Sequence, residues 1–191
     1  MNIILFNMVR PMLDLAYERE YLPKNQHKWF VRQREQERDI DPLSSEEMLA
    51  FLQALPEPRW VYYFTVTFGT GLRPSEQFAL EWQHIDFKTK LLHVRQGFVK
   101  ERLTILKTKA SKRDVDMLPH VEEVLSKHRG AIEGKAQYAF SNTEGGPLHL
   151  DNLRNRIWNP TIERAGLRPR NPYQTRHTFA SLMLRQGEDP A

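Results

Sequence analysis

The pattern of apolar and polar positions predicts a chain that is mainly helical. Apolar residues that recur every three or four positions would give a helix one buried face. Residues 60–69 are apolar or aromatic almost throughout, which fits a buried helix but also a strand, because Val, Tyr and Thr favour strands. The other predicted helices are 3–21, 75–81, 121–128, 150–164 and 174–185.

Several helix boundaries are marked by residues that cap helices. Ser44 followed three positions later by Glu47 is a capping-box pattern, and an apolar stripe comes directly after it. Pro119 suits the first position of a helix, and Gly187 suits the position just past the end of one. A helix is therefore also predicted after Ser44.

The pattern changes to short alternating runs in the middle of the chain, as is typical of strands. Polar turns separate the runs, which predicts a small antiparallel sheet. The fold class that follows is mainly α with a small antiparallel β-sheet (α+β). The runs are 85–87, 91–94, 103–106 and 114–117.

The chain is expected to divide into three parts. Residues 1–22 form an apolar helix that lacks a partner of its own, which suggests the end of a preceding domain. Residues 23–40 are polar and mix both charge signs, as a linker does. Residues 41–191 hold the remaining elements and form the main domain.

Composition narrows the classes of function. The 191 residues include no cysteine, which excludes disulfides, thiolate zinc sites and cysteine nucleophiles. A net charge of +4 is compatible with a polyanionic partner. No apolar run is long enough to span a membrane, and the first residues do not resemble a signal peptide, so a cytoplasmic protein without a membrane segment is expected.

Arg73 is the first candidate for chemistry, within Thr-Gly-Leu-Arg-Pro-Ser-Glu at residues 70–76. An arginine between two helices, near free backbone N–H groups, suits an oxyanion such as phosphate. The alternative is that Arg73 only pairs with Glu76 across one helical turn.

A run of basic residues between 100 and 113 is the second candidate. On a hairpin it would form a cationic finger that reaches nucleic acid. The alternative is a solvated edge strand protected by its lysines. The basic residues are Lys100, Arg102, Lys107, Lys109, Lys112 and Arg113.

Arg176 is the third candidate, near the start of a predicted helix that turns Phe179, Leu182 and Met183 inward. Tyr173 lies one helical turn earlier and could share a ligand with it. The alternative for the neighbouring His177 is a packing role.

No motif predicts a metal, ATP, NAD or other small-molecule cofactor. The histidines form no pair at metal-ligand spacing with a carboxylate. Glycine loops of the nucleotide-binding kinds and the Gly-x-Ser-x-Gly elbow are both absent.

The three basic segments, in this order, resemble the catalytic domain of the tyrosine recombinases, the phage-integrase family of site-specific DNA recombinases. Residues 70–86 resemble its first arginine box, residues 106–113 its β-hairpin lysine segment, and residues 173–180 its second arginine box. Lys107 follows Arg73 by 34 residues, and Arg176 follows Lys107 by 69. The resemblance implies the integrase catalytic-domain fold, and it makes the helix 3–21 similar to the last helix of the preceding core-binding domain.

The resemblance also implies roles for these residues. Arg73 and Arg176 would hold the scissile phosphate of double-stranded DNA without a metal ion. Lys107, or Lys109 if the register differs by two, would give a proton to the departing 5′-oxygen. Tyr173 stands where the family usually has histidine, and it would bind phosphate rather than carry protons. The remaining predicted DNA contacts are Lys109, Lys112, Arg113 and His177.

The family's second His/Trp position and its nucleophilic tyrosine would lie beyond Ala191. We therefore expect a C-terminally truncated catalytic domain, which binds DNA but does not cleave it alone, from a full-length integrase that acts as a tetramer. One alternative is a non-catalytic DNA-binding remnant of a cryptic prophage. Another is an unrelated basic regulator, in which Arg73→Ala and Arg176→Ala would leave DNA affinity nearly unchanged.

Overall fold

The computed structural model describes residues 3–24, 40–99, 102–105, 112–132, 136–185 and 187. The chain forms two compact units, Met1–Asp39 and Ile40–Ala191. The first unit contains helix α1, Ile3–Glu18, with Pro11 inside it. Its predicted role as the end of a core-binding domain, and that of the linker 23–40, stay predictions.

The second unit is built mainly of helices. Helices α2 to α4 precede the strands, and α5 to α8 follow them. A π-helical segment, Arg154–Trp158, joins α6 to α7. The helices are α2 Ser45–Gln53, α3 Pro58–Thr70, α4 Pro74–Phe78, α5 Pro119–Ala131, α6 Leu150–Leu153, α7 Asn159–Arg164 and α8 Gln174–Arg185.

The strands form a small antiparallel sheet and a separate hairpin. Strands β1, β2 and β5 pair in the order β1-β2-β5, and β3 pairs with β4. The strands are β1 Ile85–Asp86, β2 Leu91–Val94, β3 Gln96–Val99, β4 Arg102–Ile105 and β5 Arg113–Asp116. The α+β class with a small antiparallel sheet is confirmed. Strand β3 was not predicted, and β4 pairs with it in the hairpin rather than in the sheet.

Two helix ends differ from the sequence-based expectation. Helix α4 ends at Phe78 rather than near Glu81, because a 3-10 turn at Trp82–His84 follows. Gly69 does not end α3 but lies inside it. A Cβ at Gly69 would lie 2.5 Å from Cγ2 of Val121, so the missing side chain lets α3 approach α5 closely.

Aromatic side chains from three helices form the centre of the core. The Phe51 ring of α2 packs against Phe64 of α3, with ring centroids 4.9 Å apart. It also contacts Trp158, at 4.7 Å, and all three side chains are buried. Aromatic burial of this kind contributes about 0.5–1.5 kcal/mol per pair beyond area alone. The core thereby fixes α3, whose C-terminal end leads into Arg73.

Candidate phosphate-binding site

Arg73 stands in a short turn between α3 and α4. Gly71 ends α3 in the left-handed region at φ 60°, and its N–H donates to the carbonyl of Thr67. Leu72 is fully buried. Arg73 then caps α4, which Pro74 opens as its first residue. A glycine in the left-handed region and a proline at the first position are what this tight reversal requires.

A buried polar contact fastens α4 to α3. The Thr67 hydroxyl donates to Oε1 of Gln77 at 2.6 Å, and the Gln77 amide donates to the carbonyl of Tyr63 at 2.8 Å. Gln77 has no exposed surface. These hydrogen bonds satisfy the buried polar groups of Gln77 and hold α4 against α3. The turn between the two helices, which carries Arg73, is therefore fixed at both of its ends.

Helix α8 carries Arg176 and is anchored by the segment before α2. The Leu43 N–H donates to the Thr178 hydroxyl at 2.9 Å, and the Asp41 N–H donates to the Gln174 side chain at 3.1 Å. Both acceptors are buried. The predicted inward side chains Phe179, Leu182 and Met183 are only half-buried. Gln174 and Thr178 are buried instead, because their side chains accept hydrogen bonds from backbone N–H groups of the segment before α2.

The two arginine segments meet at Gly71. Nη1 of Arg176 donates to the carbonyl oxygen of Gly71 at 2.5 Å, across 105 residues of sequence. The Phe179 ring lies so close to Gly71 that a Cβ there would be 2.4 Å from its Cδ1 atom. The structure therefore brings Arg73 and Arg176 together on one surface.

Glu76 accepts hydrogen bonds from two arginines and from the backbone. Nη1 of Arg73 donates to its Oε1 at 2.9 Å, and the Arg73 N–H donates to its Oε2 at 2.9 Å. Arg113 donates to both oxygens, at 3.0 and 2.9 Å. Arg73 thus pairs with Glu76, as the alternative interpretation expected, and also lies beside Arg176.

The carboxylate stays ionised because of these donors. Burial alone would raise the pKa of Glu76, but the hydrogen bonds from Arg113 and from the backbone of Arg73 outweigh it and hold the pKa below its ordinary value. Its hydrogen bond to Glu76 raises the pKa of Arg73. Burial and the nearby positive charges of Arg73 and Arg113 lower the pKa of Arg176. A cluster with three guanidinium groups and one carboxylate carries excess positive charge.

Tyr173 lies beside this cluster, near both Arg73 and Arg176. The Tyr173 side chain is exposed, and its ring meets the half-buried His177 edge to face, with ring centroids 5.4 Å apart. The phenol is therefore close to the guanidinium groups that would hold an oxyanion.

The other predicted site residues are placed differently. Lys107 and Lys109 lie outside the described residues. Lys112 is exposed at the start of β5, whereas the Arg113 side chain is only 20% exposed and is committed to Glu76. The DNA contacts predicted for these residues stay predictions.

Sequence reasoning missed the Gly71 carbonyl, and it assigned Arg113 to DNA rather than to Glu76. The Gly71 carbonyl has no signal in the sequence, since any residue has one. Arg113 did have a signal, because it alternates with Val115 on the half-buried face of β5 while Asp114 and Asp116 are exposed. In the part of the chain that the structure describes, no group of three or more His, Asp or Glu residues could hold a metal ion, and no helix has the length and apolarity to cross a bilayer.

Solved structures of the tyrosine recombinases share this fold, and they define its class. The Tn1549 transposon integrase, in complex with a circular intermediate DNA, superposes with a TM-score of 0.81 at 17% identity, over 97% of this chain and 66% of that one. A lambda integrase dimer bound to a core site gives 0.70 at 16% identity, over 97% and 67%.

Residues 40–191 match the model of the phage integrase family, and the chain belongs to that family. Two relatives come from Escherichia coli strain K12. Prophage integrase IntR is 31% identical over 79% of this chain and 42% of its own length. The protein named defective protein IntQ is 31% identical over 94% of this chain and 52% of its own length. The chain thus spans about half the length of these relatives.

Proposed function

We propose that this chain is the phosphate-binding part of a site-specific DNA recombinase, whose full-length form cuts and rejoins strands through a phosphotyrosine. The observation that carries the proposal is the convergence of Arg73 and Arg176 on Gly71, with Glu76 and Tyr173 beside them. Membership of the phage integrase family supports it.

The two guanidinium groups supply the chemistry. In the pentacoordinate transition state of phosphoryl transfer, extra negative charge spreads over the non-bridging oxygens. Arg73 and Arg176 would donate to those oxygens from fixed positions, so little reorganisation is needed when the charge develops. Tyr173 would donate its hydroxyl hydrogen to the phosphate, as a phenol can near neutral pH.

Lys107 would protonate the departing 5′-oxygen, with Lys109 as the alternative. The partner of the chain is double-stranded DNA, and the full-length protein acts as a tetramer on it. Lambda integrase is described as a tetramer bound to a Holliday junction. The proposed DNA substrate is the reason that we expect a cytoplasmic protein.

A salt-dependent binding series tests the proposal. We expect Arg73→Ala and Arg176→Ala each to weaken binding to a labelled duplex by about 10- to 100-fold, the loss of one charge-assisted contact. Each should also reduce the slope of log affinity against log salt by about one.

Lys127→Ala is the matched control, since it removes the same formal charge from an exposed pair with Glu123 on α5. If both arginine variants bind DNA as tightly as the Lys127 variant, the proposal is wrong and the protein holds DNA elsewhere.

A further inference from the structure

We propose that Arg113 is a positioning residue, which neutralises Glu76 so that the charge of Arg73 is left for phosphate. This inference rests on the proposed function of Arg73. It replaces the sequence-based expectation that Arg113 itself touches DNA.

Strand β5 directs Arg113 toward the protein. Its residues alternate, with Arg113 and Val115 half-buried and Asp114 and Asp116 exposed. Arg113 pairs with Val94 of β2, so the sheet register fixes its backbone. A side chain on this face points away from solvent, and therefore away from a DNA backbone that approaches from solvent.

The contact between Arg113 and Glu76 is the more complete of the two arginine contacts. Arg113 uses two parallel N–H groups, one on each carboxylate oxygen, at 3.0 and 2.9 Å. Arg73 gives that carboxylate a single side-chain N–H. The Arg73 side chain is 46% exposed, against 20% for Arg113 and 2% for Glu76.

One carboxylate cannot neutralise two guanidinium groups. The bidentate pair takes up the negative charge of Glu76, because its geometry is the better matched. Glu76 then serves Arg73 as a hydrogen-bond acceptor that fixes its orientation. Without Arg113, Glu76 and Arg73 would form a neutral ion pair, and Arg73 would attract phosphate less.

A direct DNA contact by Arg113 conflicts with this arrangement. To reach a phosphate, Arg113 would have to leave a carboxylate that is 2% exposed. Removing one partner from such a buried pair is strongly unfavourable.

A variant in which both Arg113 and Glu76 are neutral distinguishes a positioning role of Arg113 from a direct contact with DNA. Binding to a labelled duplex is measured across a salt series for the wild type, Arg113→Met, and the double variant Glu76→Gln/Arg113→Met. We expect Arg113→Met to weaken binding roughly tenfold or more and to lower the salt slope by about one, because Glu76 then neutralises Arg73. The double variant removes that carboxylate as well, so the salt slope should return to the wild-type value. Most of the lost affinity should also return, although the amide keeps only one of the two oxygens that accept from Arg73.

A double variant that binds as weakly as Arg113→Met, with the same reduced slope, would mean that Arg113 contacts DNA, and it would overturn the inference. Thermal melting shows whether Arg113→Met folds. If it does not, the comparison between the double variant and the wild type decides the question alone, because the double variant holds no unpaired buried carboxylate.

Arg73→Ala keeps the two proposals distinguishable. If Arg73→Ala binds DNA as the wild type does, the proposed function fails. If Arg73→Ala binds weakly and the double variant does too, only the role given to Arg113 fails.

Discussion

Gly71 shows how much one residue without a side chain contributes to the site. It holds the left-handed conformation that ends α3, it leaves space for the Phe179 ring, and its carbonyl oxygen accepts from Arg176. The first two features concern the fold, whereas the third concerns the candidate site directly.

Replacing Gly71 should be costly for two separable reasons. We expect Gly71→Ala to lower the free energy of unfolding by about 2–4 kcal/mol, from the left-handed conformation together with the contact with Phe179. Urea unfolding followed by circular dichroism measures this loss.

Gly166→Ala is the matched control, because Gly166 has a similar φ of 66° with nothing within 4 Å of its Cβ position. It should cost only about 1 kcal/mol, the conformational part. Equal losses in the two variants would show that the approach of Phe179 to Gly71 is unimportant.

At the scale of elements, α2 illustrates a boundary that its own residues define. The Ser44 side chain accepts from the N–H of Glu47 at 3.2 Å, and the Glu47 carboxylate accepts from the N–H of Ser44 at 2.9 Å. Both contacts are local, which is why the capping box was visible in the sequence and is confirmed.

Ser44→Ala should destabilise the protein by about 1 kcal/mol, because the Glu47 N–H loses its acceptor. Ser126→Ala is the control, since Ser126 is exposed inside α5 and alanine favours helices. It should leave thermal stability unchanged or slightly higher. If Ser44→Ala has the same melting temperature as Ser126→Ala, the cap is not a source of stability.

The elements that sequence reasoning identified are those with local signals. Helix α8 has its predicted bounds, and Pro119 opens α5 as expected. Strand β3 was missed because Gln-Gly-Phe-Val does not alternate clearly. Strand β3 also depends on contacts with α4 and the residue after it, since Gly97 packs on the backbone of Ser75 and Gln96 donates to the carbonyl of Ala79. A local sequence pattern does not reveal such contacts.

The candidate site was partly predictable for the same reason. Two arginines were visible as motifs, but their convergence on Gly71 depends on the packing of α3 and α8. The pairing of Arg113 with Glu76 depends on the register of β5 against β2. Neither can be read from a single segment.

At the scale of the whole molecule, Arg170 joins parts of the chain that are far apart in sequence. Its side chain is 1% exposed and donates to Asp41 at 3.0 Å and to both oxygens of Glu47 at 2.9 Å. Arg168 also pairs with Asp41, but its side chain is 66% exposed. Residues 41–47 are thereby tied to the segment that leads into α8.

These two arginines should differ sharply on replacement. Arg170→Ala removes a buried guanidinium that joins two partly buried carboxylates, and it should cost about 3–5 kcal/mol. Arg168→Ala should cost less than about 1 kcal/mol, as exposed pairs do. Denaturant unfolding of both variants checks the difference, and a similar loss in each would contradict the structural role of Arg170.

The hydrogen bond from Arg176 to Gly71 links helix α8 to a turn that lies more than 100 residues earlier in the sequence. An anion held by both arginines would therefore bind only molecules in which α8 is docked, and by mass action it would favour that docked population. The bound anion would in this way stabilise the docked position of α8, and local unfolding of α8 would release the anion.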